Sequence, residues 1–388
     1  MRFADAIAAH DLADLDALGL RRRLEPLEGA PGPTIRLGGR ELINLCSNDY
    51  LHLAGSPELA AAAAEAANQG TGAGGSRLIT GSLPVHARLE AALAEFEGSE
   101  AAVLFNSGYC ANLGVLQALL GREDAVFCDA LNHASLVDGA RLCRAAVHVY
   151  PHLELRALDA ALASSTARRK LIATDSVFSM DGDLAPLPGL CDLAEKHQAM
   201  LVVDEAHATG IFGAQGSGLA EQLGCAARID VRVGTLSKAA GSFGAFAAAS
   251  RAVCELLMNR ARAFVFTTAL PPTVCAASLA SLAEMQQPAR RERLWRNIRL
   301  FADGLRALDL PAEPRSPIFP VVVGDSQGAL QLGAALRERG VLAKAIRPPT
   351  VPAGTSRIRF SVGADHTEAQ LRHALESLGA ALGRALTP

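Results

Sequence analysis

Through the middle of the chain, short apolar runs alternate with stretches of helical periodicity. Runs at 101–105, 125–128, 145–149, 171–174, 200–204, 229–234 and 244–249 have strand length and carry few polar residues. Strands buried on both faces of a parallel sheet have this pattern. The first repeat shows the unit: a strand over Ala101–Phe105, the turn Asn106-Ser107-Gly108-Tyr109, then a helix over Cys110–Leu120. Repetition of that unit predicts right-handed crossovers and an α/β fold, a mainly parallel sheet with helices on both faces. Upstream, Gly70-Thr71-Gly72-Ala73-Gly74-Gly75-Ser76-Arg77 is too rich in glycine for regular structure and predicts a loop. Gly70, Gly72 and Gly75 have the letters of G-x-G-x-x-G, but the stretch does not lead directly into a helix, so it is no dinucleotide fingerprint. The helix that follows puts Leu89, Ala92, Leu93 and Phe96 on one face.

The two ends follow another pattern. Residues 1–20 predict an amphipathic helix, with Phe3, Ile7, Leu15 and Leu18 among acids. It ends at Gly19 and Arg21-Arg22-Arg23, which on their own read as a solvated face or as charge at a helix end. After Pro26, Pro31 and Pro33 come β stretches over Thr34–Leu37 and Glu41–Leu45. Near 280–290 a long helix carrying Arg290, Arg291, Arg293, Trp295 and Arg296 opens a smaller α+β unit, its arginines again reading as a solvated face. Strands are expected over Ile318–Val323, 341–346 and 357–362, with a helix over 327–339 stopped by Gly340. Thr367 and Gln370 form a capping box that starts a last helix. The expected division is an N-terminal segment 1–50, a large domain 51–283 and a small domain 284–388.

Composition narrows the function more than the fold. With 388 residues, half of them apolar, the chain can bury a large core. A net charge of −3 argues against a nucleic-acid platform or a membrane-surface protein. Eight cysteines are scattered without a C-x-x-C pair, which points to a reducing compartment and away from a disulfide framework or a zinc site. Asp5, Asp11, Asp14 and Asp16 make the N-terminus unlike a secretory or transit signal. No apolar run approaches the ~20 residues a bilayer needs. A cytoplasmic protein without a metal centre is the expectation.

Chemistry concentrates where the strand Met200-Leu201-Val202-Val203 ends in Asp204-Glu205-Ala206-His207. In parallel sheets, ligands gather at the carboxyl ends of strands. Lys238 is one of four lysines and the one set among small residues and hydroxyls, between Ser237 and Ala239-Ala240-Gly241. A turn entering a helix, as at Ser107-Gly108-Tyr109, offers unpaired N–H groups and a positive dipole end to a phosphate, and Thr235 and Ser237 could add hydroxyls. A lysine able to form a Schiff base, a phosphate cradle and an aspartate that keeps a ring nitrogen protonated together suit pyridoxal phosphate. His207 could orient Asp204 or bond the ring oxygen, and His133, after another strand, could stack on the ring.

Each residue also has a plain reading: strand-end acids cap loops, single histidines are commonly structural, and Lys238 could be a surface lysine. Their joint occurrence in one α/β frame favours the cofactor. The rival is an NTPase with Val203-Asp204-Glu205-Ala206-His207 as its Walker B strand, which needs a G-x-x-x-x-G-K-[ST] loop upstream. No lysine here follows a glycine, so that reading fails.

The motifs add up to a resemblance. Ser47-Asn48-Asp49-Tyr50-Leu51, Gly74-Gly75-Ser76-Arg77-Leu78, Asn106-Ser107-Gly108-Tyr109 and Phe178-Ser179-Met180-Asp181-Gly182-Asp183 resemble the α-oxoamine synthases. So do Asp204-Glu205-Ala206-His207-Ala208-Thr209-Gly210 and Thr235-Leu236-Ser237-Lys238. These are fold-type I pyridoxal-phosphate transferases, which join an amino acid to an acyl thioester with loss of carbon dioxide. Ala345-Ile346-Arg347-Pro348-Pro349-Thr350-Val351-Pro352 is similar to the branch that uses L-alanine and a pimeloyl thioester in biotin biosynthesis. Sister branches use glycine or serine with other acyl groups.

The resemblance implies that Lys238 is the Schiff-base lysine, Asp204 meets the pyridine nitrogen and His133 stacks on the ring. It implies Ser179 and His207 at the ring oxygen, and Gly108, Tyr109 and Thr235 around the phosphate. Arg347 would hold the amino-acid carboxylate, with Arg21, Asn48 and Thr350 near the substrate, which replaces the plain reading of the Arg21 cluster. It further implies a homodimer with shared active sites, in which Thr268 reaches the neighbouring subunit's phosphate. The acyl carrier would be coenzyme A or acyl carrier protein. His52 departs from the family, which usually has glycine after Tyr-Leu.

Overall fold

The apolar runs of the middle of the chain become seven strands: β1 (Ala101–Phe105), β2 (Ala125–Asp129), β3 (Ala146–Tyr150), β4 (Lys170–Asp175), β5 (Met200–Asp204), β6 (Val231–Thr235) and β7 (Ala245–Ala249). They lie in the order β1-β7-β6-β5-β4-β2-β3 in this computed structural model, which describes residues 2–383. β2 to β6 pair in parallel, as their crossover helices require. β7 runs antiparallel to both β6 and β1. The reason is local: only residues 236–244 join β6 to β7, too few for a parallel crossover. β2, β6 and β7 are buried along their whole length, whereas β3, at the edge, exposes Ala146 to Val149. In β6, Gly234 is required because a Cβ there would stand 2.2 Å from the Phe246 ring.

Two helices matter for the site. α1 (Gly108–Leu119) starts where β1 ends and is capped by Ser107, whose Oγ accepts the Cys110 N–H at 3.2 Å. α2 (Ala134–Leu142) packs beside it and starts at His133.

The chain separates into two compact units. The larger holds Asn48–Ser179 and Asp183–Glu292; the smaller gathers the two chain ends, through Ser47 and from Arg293, together with Met180–Gly182. In the smaller unit, Thr34–Leu37 pairs antiparallel with Arg40–Asn44, and Val341–Leu342 joins that pair in parallel, so the two ends fold as one body. A second sheet there orders Ile318–Gly324, Ser356–Ser361 and Ala345–Ile346. The stretch expected as one strand over 341–346 is thus two short strands in different sheets. Thr367 caps the final helix, Glu368–Leu382, with the reciprocal Gln370 bond that its sequence predicts.

Three details depart from the sequence reading. The helix Phe3–Ala17 forms, yet none of its residues is buried, and Phe3 and Ile7 remain exposed. The units change over at 292/293, inside the helix Pro288–Arg306, and not at 283. Arg291 on that helix is no solvated charge: it is buried and donates to the carbonyls of Ala214 (2.6 Å) and Met285, and burial lowers its pKa. No helix among the described residues is long and apolar enough to cross a membrane.

Candidate active site

The carboxyl ends of β4, β5 and β6 bring the chemistry together in the larger unit. Lys238, three residues past β6, sets its Nζ 2.9 Å from Nε2 of His207, three residues past β5. The other ring nitrogen of His207, Nδ1, lies 2.8 Å from the Tyr50 hydroxyl, which donates to Asn48 Oδ1 at 3.2 Å. One arrangement of protons satisfies the series: Lys238 donates to Nε2, Nδ1–H donates to Tyr50, and Tyr50 donates to Asn48. The loop after Lys238 is pinned, because Gly241 adopts φ 61° and a Cβ there would stand 2.3 Å from Ala54 N. The other three lysines are tied elsewhere: Lys170 to Leu162 O, Lys196 to Asp159 and Lys344 to Glu25.

Asp204 is 4% exposed, and each of its oxygens accepts one bond: Oδ1 from Ala206 N–H (2.8 Å), Oδ2 from the Asn112 amide (2.6 Å). The sequence reading gave His207 as one candidate for orienting Asp204; the structure gives that task to Asn112 on α1. Asn112 also donates to Ser135 Oγ (2.8 Å), which lies 2.7 Å from His133 Nδ1, so one network joins Asp204 to His133. The His133 backbone N–H donates to Asp175 Oδ2 at 2.7 Å, and Asp175 stands in register beside Asp204. Burial, and then the neighbouring Asp204 charge, raises the Asp175 pKa well above its usual value. His133 keeps an exposed side, while desolvation lowers its pKa against the opposing pull of the Asp204 charge.

A phosphate cradle lies at the start of α1. A methyl placed on Gly108 would be 4.0 Å from Thr235 Oγ1, so the helix start and the hydroxyl face a common space. Thr235 Oγ1 lies 2.7 Å from Ser237 Oγ. Asn106 fixes the approach by donating to Thr267 Oγ1 (2.9 Å) and to the carbonyl of Thr268 (3.0 Å). Thr268 itself is exposed. The Tyr109 hydroxyl turns to Asp138, at 2.6 Å.

Ser179 sits on a turn closed by the Val177–Leu184 bridge and by the bond from Phe178 N–H to Asp183 O (3.0 Å). The base of this turn is clamped by His152, which no sequence motif singles out. Its Nδ1 contacts Asp129 at 2.8 Å, its Nε2 contacts Asp183 at 2.7 Å, and Phe178 packs edge-on at 4.5 Å. Burial pulls the His152 pKa down, but the bonds to Asp129 and Asp183 outweigh it and carry it up to about 10.

Arg21, Arg347 and Thr350 belong to the smaller unit and lie close together there. Arg347 Nη1 donates to Gly19 O, Arg22 donates to Pro348 O (3.3 Å), and Thr350 N–H donates to Arg347 O (3.1 Å). Arg21 pairs with Asp16 at 2.5 Å. Arg347 Nε is buried without a partner among the described residues, which leaves a donor available to an anion.

These residues fit pyridoxal phosphate. Asp204 retains lone pairs for a protonated ring nitrogen, Lys238 offers an amine, and the start of α1 with Thr235 and Ser237 offers donors to a phosphate. No group of three or more His, Cys, Asp or Glu side chains among the described residues could hold a metal.

Residues 40–378 match the family aminotransferase class I and II, and the chain belongs to that family of pyridoxal-phosphate enzymes. Within it, the chain is 54% identical over 375 residues to the 8-amino-7-oxononanoate synthase of Anaeromyxobacter dehalogenans, covering 96% of this chain and 94% of the relative. Among solved structures it superposes on serine palmitoyltransferase from S. paucimobilis with a bound PLP–myriocin aldimine, at a TM-score of 0.92 and 33% identity, covering 98% of both chains. The 8-amino-7-oxononanoate synthase of Francisella tularensis matches at a TM-score of 0.75 and 29% identity, covering 88% of this chain and 98% of that one. The fold-type I expectation therefore stands.

Proposed function

We propose that the chain joins L-alanine to a pimeloyl thioester and gives 8-amino-7-oxononanoate, carbon dioxide and the free thiol, a step of biotin biosynthesis. The observation that carries this reading is the Lys238 amine held against His207 beside an Asn112-anchored Asp204, in a chain 54% identical to a synthase of that name.

Pyridoxal phosphate, when bound, supplies an electron sink for the substrate's α-carbon. The chain's own groups then have separate tasks. The Lys238 amine would hold the cofactor and, when freed by the amino acid, would take and return the proton at the α-carbon. The His207 bond directs that amine to one place. Asp204 would pair with the ring nitrogen and favour its protonated form, and His133 would lie against the ring. Ser179 and His207 would meet the ring oxygen; Gly108, Tyr109, Thr235 and Ser237 would hold the phosphate, with Thr268 contributed by the second subunit of a homodimer. Arg347 takes the amino-acid carboxylate with its free Nε donor and releases it before carbon dioxide leaves. Arg21, Asn48 and Thr350 line the substrate.

A second reading, a sister reaction with serine and a longer acyl chain, is favoured by the better backbone match to serine palmitoyltransferase. The identity of 54% against 33% weighs against it.

The test is thiol release by the purified protein with L-alanine, glycine or L-serine, each against pimeloyl-, acetyl-, succinyl- and palmitoyl-CoA. Release with alanine and pimeloyl-CoA alone is expected. Preference for serine with palmitoyl-CoA would select the second reading. A colourless, inactive protein after addition of pyridoxal phosphate would remove both.

A further inference from the structure

We propose that His152 is a positioning residue for cofactor binding: it ties the loop that carries His133 to the turn that carries Ser179. The proposal rests on the cofactor contacts given above for those two side chains and adds the group that sets both.

The sheet brings the parts together. β3, β2 and β4 are neighbours in that order. His152 stands two residues past β3, His133 four past β2 and Ser179 four past β4. At that common end His152 reaches from the edge strand to both loops. Its Nδ1 meets Oδ1 of Asp129, the last residue of β2, at 2.8 Å. The same oxygen accepts the Leu131 N–H at 2.8 Å, and the Asn132 N–H donates to the Asp129 carbonyl at 3.2 Å. The Asn132 amide then donates to Ala173 O on β4 at 2.7 Å. With the His133 N–H on Asp175, the backbone is bound at each step from Asp129 to His133.

On the other side, Nε2 meets Asp183 Oδ2 at 2.7 Å. The Asp183 carbonyl accepts the Phe178 N–H, and the Phe178 ring lies edge-on to His152, one residue before Ser179. Asp183 Oδ1 is buried without a hydrogen-bond partner among the described residues, so the bond from His152 to Oδ2 anchors this carboxylate.

Two features separate this bridge from a surface ion pair. Both ring nitrogens face a carboxylate oxygen, so a ring with both protons donates twice, and a pKa of about 10 keeps it in that form at neutral pH. The Asp129 side chain is 1% exposed, where such a bond is little screened by water. The second feature is strain. Leu153 takes φ 61°, a conformation unfavourable for leucine, and its N–H meets Asp129 Oδ2 at 2.9 Å. The backbone next to His152 is thus held on the same carboxylate as its ring.

The experiment titrates the apoprotein with pyridoxal phosphate and follows its visible absorption band. It uses wild type, His152→Phe, Ser179→Ala, His133→Phe and Thr235→Ala, and His152→Phe combined with each of the other three. His152→Phe should weaken cofactor binding about tenfold and shift the band in the direction that Ser179→Ala shifts it. Combined with Ser179→Ala or His133→Phe, it should cost less than the product of the two single effects, because one contact is already loosened. Combined with Thr235→Ala, whose hydroxyl lies past another strand, it should cost the full product. The full product in all three combinations overturns the proposal, since His152 would then act on neither side chain. An equal shortfall in all three also overturns it, since His152 would then support the fold at large. Should His152→Phe fail to fold, Asp183→Asn keeps the shape of the anchor, and the same outcomes of its combinations with Ser179→Ala and Thr235→Ala decide. Binding is read without turnover. A wild type that binds the cofactor and releases no thiol therefore refutes the proposed reaction and leaves these combinations to decide on His152; a wild type that binds no cofactor overturns both.

Discussion

Both oxygens of Asp204 already accept a hydrogen bond before any ligand arrives, and the stronger partner is the Asn112 amide at 2.6 Å. A buried carboxylate deprived of one donor loses stabilisation of its charged form. Asn112→Leu should therefore lower cofactor affinity by about 1–2 kcal/mol, roughly tenfold, with Lys238 untouched. Titrating the apoprotein with pyridoxal phosphate and following absorbance measures it; unchanged affinity would mean that Asp204 needs no help. At this scale the sequence was informative about residue type and place: Asp204, His207 and Lys238 stand out by scarcity or by their position after strands. It could not disclose Asn112 or Tyr50. Their partners lie 92 and 157 residues away, and apolar periodicity tells which face a side chain takes, not what it meets there. His52 takes φ 53°, the left-handed conformation that suits glycine, the residue the family resemblance leads one to expect at that place.

The turn from Val177 to Leu184 illustrates the same limit for whole elements. Its motif was legible, but the clamp beneath it was not, because His152, Asp129 and Asp183 come from three separate segments. The clamp has a definite pH signature. The folded pKa of His152, about 10, exceeds the usual 6.5, so the stability it contributes is complete below pH 6.5 and is lost as pH rises toward 10. Urea unfolding of wild type should weaken over that range by a few kcal/mol at most, and His152→Phe should flatten the dependence. Parallel curves for the two proteins would exclude the clamp as its source. Helices and strands themselves were largely foreseen, since strand-length apolar runs and the Thr367–Gln370 box are local signals. Arg291 was misjudged for the opposite reason: the carbonyls it serves, on the Ala214 loop and at the end of the preceding helix, share no period with its own helix.

At the level of the whole molecule, the α/β class followed from alternation alone, while the changeover at 292/293 did not, because a helix that runs on leaves no break in composition. Exposed Phe266, Ile79 and Leu78 on the larger unit are the kind of surface a second copy covers. Light scattering should give twice the 40.4 kDa chain mass at micromolar concentration. A single-chain mass would withdraw the shared role of Thr268.

The antiparallel seat of β7 has a consequence for synthesis. β1 leaves the ribosome early, yet its only neighbour in the sheet is β7, with Ala101 opposite Ala249. Until β7 emerges, that edge is bare and the strand that leads into α1 has no neighbour in the sheet, and closing so long a loop is slow. A nascent chain therefore acquires its place for the cofactor phosphate late, all at once, when the final strand slides between two already waiting.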